Sequence, residues 1–470
     1  MTRTNTLPRA AKLKTHEGGT AVLQRPKEDL LRAVSTCLLF EDTFYEKGSD
    51  LAQRIAELVK QNTPERVAEV AKIARNDLHL RHVPLWLAVQ MSLAFRGNSV
   101  VSKTIENVVQ RPDEMAELVS LYWKAVGDER KTPGRSRLPA QLKKGLAAAF
   151  TKFDAYRLAK WNRLDRAVKL RDVLFLTHAK PKDEAQAALW KSLIANTLET
   201  PDTWEVAISA APKETKPQAW ERLLLEHKLG PMALIMNLRN LEEAKVLRSA
   251  VVAELNRIDG RSKLLPFRFL AAAKFAPAFA DELSAAMVRS ISELPKLTGT
   301  TALVIDASGS MTSTTISAKS KLDRLDAAAG LAVLIREVCE TARVFVYSNE
   351  CAEVLNLRGI GLVQGIRNWP GGGGGTNTAS ALEGVQRKLP SVARVILITD
   401  EQAHDGIIPS WAAYGYLVNV APYAPGLDTS GKWKRINGWS ERLVDWISYE
   451  ETGAILTASS SGEVEGQSEA

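Results

Sequence analysis

The sequence predicts a multidomain chain: an all-α array of HEAT-like helical repeats over residues 1–295, an α/β doubly wound domain over 296–458, and a disordered tail over 459–470. Three observations predict it. A chain of 470 residues is too long for one hydrophobic core. Apolar residues recur at helical spacing from about Arg25 to Leu294. After the break Leu294-Pro295-Lys296-Leu297-Thr298-Gly299, short apolar runs alternate with helical stretches, as in a parallel sheet wound on both faces.

Each helical stretch carries one apolar stripe. Leu30, Leu31, Val34, Cys37 and Leu38 form the first, Leu51, Ile55, Leu58 and Val59 the second, and Val67, Val70, Ala71 and Ala74 the third. Prolines mark helix starts at Pro64-Glu65, Pro112-Asp113-Glu114, Pro181-Lys182-Asp183-Glu184 and Pro201-Asp202. A proline at the first helical position forfeits no hydrogen bond, and acids beside it favour the positive end of the helix dipole. Short amphipathic helices over such a length suggest stacked helix pairs. The polar stretch from Asp128 to Arg137 interrupts them and reads as an exposed loop. Its Arg130, Lys131, Arg135 and Arg137 are either a solvated connection or phosphate contacts.

In the second part the elements read as strand 301–306, helix 321–340, strand 342–347, helix 376–389, strand 394–400, strand 415–421 and helix 440–448. Such a sheet places its ligands at the carboxyl ends of its strands. The tail is rich in Ser, Gly and Glu, a composition that does not bury enough to order itself.

Charge is uneven. The net charge is +8, but from Thr301 onward 14 Lys and Arg face 19 Asp and Glu, leaving 48 against 35 in the first 300 residues. A basic half joined to a slightly acidic half points to a polyanion met by the first half. Cys37, Cys339 and Cys351 have no metal-ligand spacing and read as reduced thiols of a cytoplasmic protein. Residues 1–14 lack the apolar stretch of a secretory signal. No run approaches the ~20 apolar residues of a membrane helix.

The most chemically specific feature is Asp306-Ala307-Ser308-Gly309-Ser310, directly after the apolar run Thr301 to Ile305. A carboxylate and two hydroxyls at alternate positions form a cup of hard oxygen donors suited to Mg2+. Gly373-Gly374-Gly375-Thr376 and Val395-Ile396-Leu397-Ile398-Thr399-Asp400 bring a third hydroxyl and a second carboxylate to the same kind of position. Together these resemble the metal-ion-dependent adhesion site of von Willebrand factor A domains. On that reading Ser308, Ser310 and Thr376 bind Mg2+ directly, and Asp306 and Asp400 bind it directly or through water. So few carboxylates leave the ion seeking an acidic oxygen from a partner. Gly371 to Gly375 are not a phosphate-binding P-loop, since no Lys follows. Nor is Asp306 a phosphatase nucleophile, because Ser308 lacks the acidity of a general acid.

The first part carries a second resemblance. Thr15 to Ala21, Leu38 to Gly48, Asn76 to Pro84 and Arg171 to Pro181 resemble stretches of the TROVE module of Ro autoantigen proteins. With the A-type domain after them, the similarity covers nearly the whole chain and resembles bacterial or phage Ro60-like proteins. The resemblance implies a monomeric ring of helical repeats closed by the A domain. It further implies binding of small structured Y RNAs outside the ring, single-stranded ends of defective RNAs within it, and association with an exoribonuclease. Family contacts to Y RNA carry over to Arg171 and His178, with Phe175 where the animal proteins have a basic residue and with Lys169 and Lys180 as compensating cations. Asn377 stands where the animal proteins carry Asp. His16, His79, Arg81 and His82 read as packing residues of those motifs, and Trp86, Trp123, Trp161 and Trp190 as core. The leading expectation is therefore an RNA-binding scaffold without catalytic activity. The other reading left open is a Mg2+-dependent protein-interaction adaptor. A metal-dependent nuclease needs more clustered carboxylates than the two of the cup.

Overall fold

A computed structural model describes residues 30–35, 48–127, 137–313, 315, 322–421, 426–427, 432–437 and 440–453. The stripe residues Cys37 and Leu38, His16, the loop residues Arg130, Lys131 and Arg135, and the tail 459–470 lie outside them. The chain divides into two compact units, one built mainly on residues 49–254 and the other mainly on 255–444.

The first unit is helical. Pro64 and Pro112 each open a helix, Pro64–Lys72 and Pro112–Ala125. Pro181 and Pro201 do not; their helices, Glu184–Ala195 and Trp204–Ala210, start three residues later behind Asp183 and Thr203. The reason is capping. Asp183 accepts the Gln186 N–H at 2.7 Å and Thr203 accepts the Val206 N–H at 3.4 Å, each satisfying a backbone donor that a proline start leaves open. Packing follows an alternating pattern. Pro64–Lys72 lies on Ser99–Val108, which lies on Ala140–Phe150, while His82–Ala94 lies on Pro112–Ala125, which lies on Leu170–Thr177. Contacts that skip one or two helices along the chain are what two-layer stacking of helix pairs requires.

One buried ion pair ties this stack together. Glu114 is fully buried and accepts two bonds from the Arg75 guanidinium, at 2.7 and 2.8 Å. Its carboxylate also takes the backbone N–H groups of Gln110 and Arg111 at 2.9 and 3.0 Å. The Arg111 guanidinium lies 3.5 Å from the centre of the Trp161 ring. Trp86, Trp123 and Trp190 are buried core.

The second unit holds a six-stranded sheet of order β3-β2-β1-β4-β5-β6. Its strands are β1 Leu297–Asp306, β2 Cys339–Tyr347, β3 Cys351–Val354, β4 Arg394–Thr399, β5 Tyr414–Asn419 and β6 Trp433–Asn437. All neighbours run parallel except β3, which is antiparallel to β2. The expected all-parallel sheet is corrected at that edge. A four-residue, half-buried edge strand needs no continuous apolar run, so β3 leaves no pattern in the sequence. The alternation of Trp433, Lys434, Arg435 and Ile436 likewise hides β6, and three glycines in nine residues hide the helix Gly359–Arg367. The predicted helix 321–340 is Arg324–Val338, because Asp323 caps it by accepting the Asp326 N–H at 2.8 Å and Cys339 already belongs to β2.

Alternation along β1 divides its side chains between two faces. Ala302 and Val304 join Phe345, Val395 and Leu397 beneath Ala381, Leu382 and Val385 of the helix Thr378–Lys388. On the sheet's helix side toward the chain's middle, Arg324–Val338 packs on β1 and β2 and on the helices Pro266–Phe275 and Ala280–Ser292.

Candidate functional site

Strand register sets the site. Ile305 of β1 lies opposite Ile398 of β4, so Asp306 and the Thr399-Asp400 pair emerge side by side at the carboxyl edge. Here β1 connects onward to one side of the sheet and β4 to the other, the switch point where such folds hold ligands. Asp306 is fully buried; one carboxylate oxygen accepts the Ser308 N–H at 2.9 Å and the other the Thr399 hydroxyl at 2.6 Å. The Ser308 and Ser310 hydroxyls stand 3.2 Å apart.

The glycine loop is laid against this turn by main-chain bonds. Gly373 N–H donates to the Ala307 carbonyl at 2.8 Å, and Gly309 N–H to the Gly374 carbonyl at 3.1 Å. Gly373 has φ of +81°, and a Cβ at Gly374 would stand 2.6 Å from the Asn349 side-chain nitrogen. The positive φ favours glycine at 373, and a side chain at 374 would force Asn349 to shift. Ser308, Ser310 and Thr376 then line one cavity of about 130 Å³ with Gln402 and His404, and Asp306 and Asp400 are buried at the strand ends behind it. The five predicted cup residues therefore converge. Asn377, beside Thr376, turns its side-chain N–H₂ to the Asn349 carbonyl at 3.3 Å.

Burial, and secondarily the charge of Asp400, pushes the Asp306 carboxyl up to about 6. Burial also raises Asp400, against the pull of the Ser310 hydroxyl and Arg324. Two repelling carboxylates behind three hydroxyls, in a space that admits an ion with several waters, fit a divalent cation. Among the described residues no group of three or more His, Cys, Asp or Glu gathers as a metal cluster, so hydroxyls would have to supply much of any coordination. One feature opposes tight binding. The buried Arg324 guanidinium sits 3.3 Å from Asp400 and 3.4 Å from the Ser310 carbonyl, offsetting one of the two negative charges.

Three residues of the site escape sequence reasoning. His404 N–H donates to the Thr376 carbonyl at 3.0 Å, and its Nδ1 accepts the Thr376 N–H at 3.1 Å. With Nδ1 as acceptor, the ring proton resides on Nε2. Asp405 accepts the Ala379 and Ser380 N–H groups at 3.0 and 2.9 Å, compensating the positive end of the helix Thr378–Lys388. Glu401 is buried with φ of +59°. Arg435, Asn419 and the N–H groups of Gly426 and Leu427 all bond its carboxylate at 3.0 to 3.1 Å, which holds the strained backbone beside Asp400. The signal available in sequence was the polar run Glu401-Gln402-Ala403-His404-Asp405 at a strand end. His404→Ala should loosen the loop: amide exchange of Thr376, followed by mass spectrometry, should quicken about 2- to 10-fold for one lost hydrogen bond.

Of the expected RNA contacts, Arg171 lies on the helix Leu170–Thr177 and Lys169, His178 and Lys180 flank it. Lys169 precedes it, with its N–H on Asp172 at 2.9 Å. Arg171 is exposed, with Asp172 at 3.9 Å as its acidic neighbour. His178 caps the helix in the left-handed region at φ of +53°, exposed like Lys180. Arg137 is exposed as well. Arg81 and His82 are instead tied to Asp113 and Glu117, but the His82 side chain is exposed, so it is held at the surface and is not packed as expected.

The fold and cup define the class: a helical repeat array joined to a von Willebrand A-type domain. The TROVE domain family matches residues 190–329, and the von Willebrand factor type A domain family matches residues 301–402. Telomerase protein component 1 of Mus musculus is 23% identical over 336 residues, 53% of this chain. The chain spans 13% of that relative's length. The crystal structure of the Deinococcus radiodurans RO (RSR) protein has the same fold, with a TM-score of 0.61 at 16% identity, over 90% of this chain and 100% of that one. The chain thus carries a match to the TROVE domain followed by a match to the A-type domain, on a fold shared with the RO (RSR) protein. The TROVE match begins after the motifs at 76–84 and 171–181 and runs through the junction at 295 and all of β1 into the helix Arg324–Val338.

Proposed function

We propose that this chain is a Ro60-like, RNA-binding scaffold. It binds small structured Y-like RNAs and single-stranded ends of noncoding or misfolded RNAs, assists their quality control, maturation or decay in the cytoplasm, and works with an exoribonuclease. The observation that carries this reading is the charge partition, +13 over the first 300 residues against −5 after them. Lys and Arg on phosphate supply affinity through counterion release, and single strands are preferred through shape rather than base readout. Filter binding of a small structured RNA across a salt series should give a log–log slope of about −0.7 to −0.9 per phosphate contacted. A flat series contradicts the electrostatic reading.

The A-type cup is proposed to hold Mg2+ through Ser308, Ser310 and Thr376, with Asp306 and Asp400 direct or through water. When bound, the ion supplies an electrophilic seat for an acidic oxygen. Arg324 keeps the cup short of negative charge, so a carboxylate on a protein partner completes it. The partner is thereby captured by the second unit while RNA is met by the first.

A further inference from the structure

We propose that Phe175 is a base-stacking seat for single-stranded RNA, set between two phosphate donors, Arg171 and His178. The inference rests on the RNA-binding reading and adds to it how an unpaired strand is distinguished from a duplex. Phe175 is 57% exposed, above Tyr156 at 39% and Phe275 at 42%, the other large aromatic rings exposed among the described residues. Lys160 lies over the Tyr156 ring at 5.6 Å, whereas the Phe175 ring meets no aromatic ring or cation among the described residues.

A phenylalanine on a solvated helix face gains nothing from burial there and is an indifferent helix former. A single exposed apolar residue is ordinary. The neighbours make this one different. Arg171 precedes Phe175 by four residues, one turn or about 6 Å along the helix, and on the same face. His178 follows by three residues and leaves the helix in the left-handed conformation, exposed, with Lys180 and Lys182 exposed beyond it. An aromatic face flanked on both sides by N–H donors is the chemistry of single-strand recognition: the ring takes a base of any kind, and the donors take the phosphates beside it. A duplex, whose bases are already stacked, has no face to offer the ring.

The test uses the full chain with a short oligouridine and a duplex RNA of equal length. Phe175→Ala should weaken oligouridine binding about 5- to 150-fold, leave duplex binding unchanged, and leave the slope of log Kd against log salt unchanged, since no charge is lost. Phe175→Trp should retain oligouridine binding. Arg171→Gln should instead reduce the slope by about 0.7 on the single strand. If the wild-type chain binds oligouridine and Phe175→Ala binds it equally well, the stacking seat is overturned while the RNA reading stands. Equal losses on single strand and duplex also overturn it. If the wild-type chain binds neither RNA, both readings fall.

Discussion

Glu114→Ala should lower the unfolding free energy of the helical unit by about 3 to 5 kcal/mol, read as a shift in the midpoint of urea unfolding followed by far-ultraviolet circular dichroism. The magnitude follows from what the substitution leaves behind. Glu114 is fully buried and Arg75 nearly so. Removing the carboxylate strands the guanidinium in low dielectric and deprives the Gln110 and Arg111 N–H groups of their acceptor. Added salt cannot substitute, because screening acts on exposed charges far more than buried ones. Replacing both partners, Arg75→Met with Glu114→Leu, should recover much of the loss, since an apolar pair bears no uncompensated charge. A loss under about 1 kcal/mol for Glu114→Ala, typical of an exposed pair, would contradict the burial described above.

The second large effect is at Asp306. Asp306→Asn should abolish Mg2+ binding in calorimetric titration and should make the metal-free protein more stable above pH 6. Both follow from one cause. Burial and Asp400 raise the folded carboxyl from its ordinary 3.8 to about 6, so the folded state holds the proton more tightly than the unfolded state. Stability of the metal-free chain therefore falls as pH rises from 3.8 through about 6, and stays lowered above it. Asparagine keeps the acceptor for Ser308 N–H and can donate to the Thr399 hydroxyl, but it carries no charge to bury. Melting temperatures at pH 5 and pH 7.5, with and without Mg2+, check this: Mg2+ should raise the wild-type value at the higher pH and leave the Asn variant unmoved. Equal shifts in both proteins would remove Asp306 from the metal site. RNA affinity should be nearly the same in both, because the cup and the exposed basic helices belong to separate units.

Local patterns made the helical first part, the central strands and the five cup residues legible. A stripe at helical spacing, or an apolar run closed by a carboxylate, is written within a few consecutive residues. The prolines at 181 and 201 were misleading for an equally local reason: Asp183 and Thr203 offered better caps a little further on.

By itself, the sequence determined where the candidate oxygen donors lie, which half of the chain is basic, and that helices give way to a sheet near residue 297. Tertiary structure decided what surrounds those donors. Arg324 reaches Asp400 from 76 residues away, His404 holds Thr376 across 28, and Arg435 secures Glu401 across 34. Those partnerships arise because parallel strands deliver distant segments to one edge of the sheet. No periodicity along the chain encodes them. The exposure of Phe175 is of the same kind, since only the packing of neighbouring helices determines which face of its helix stays in water.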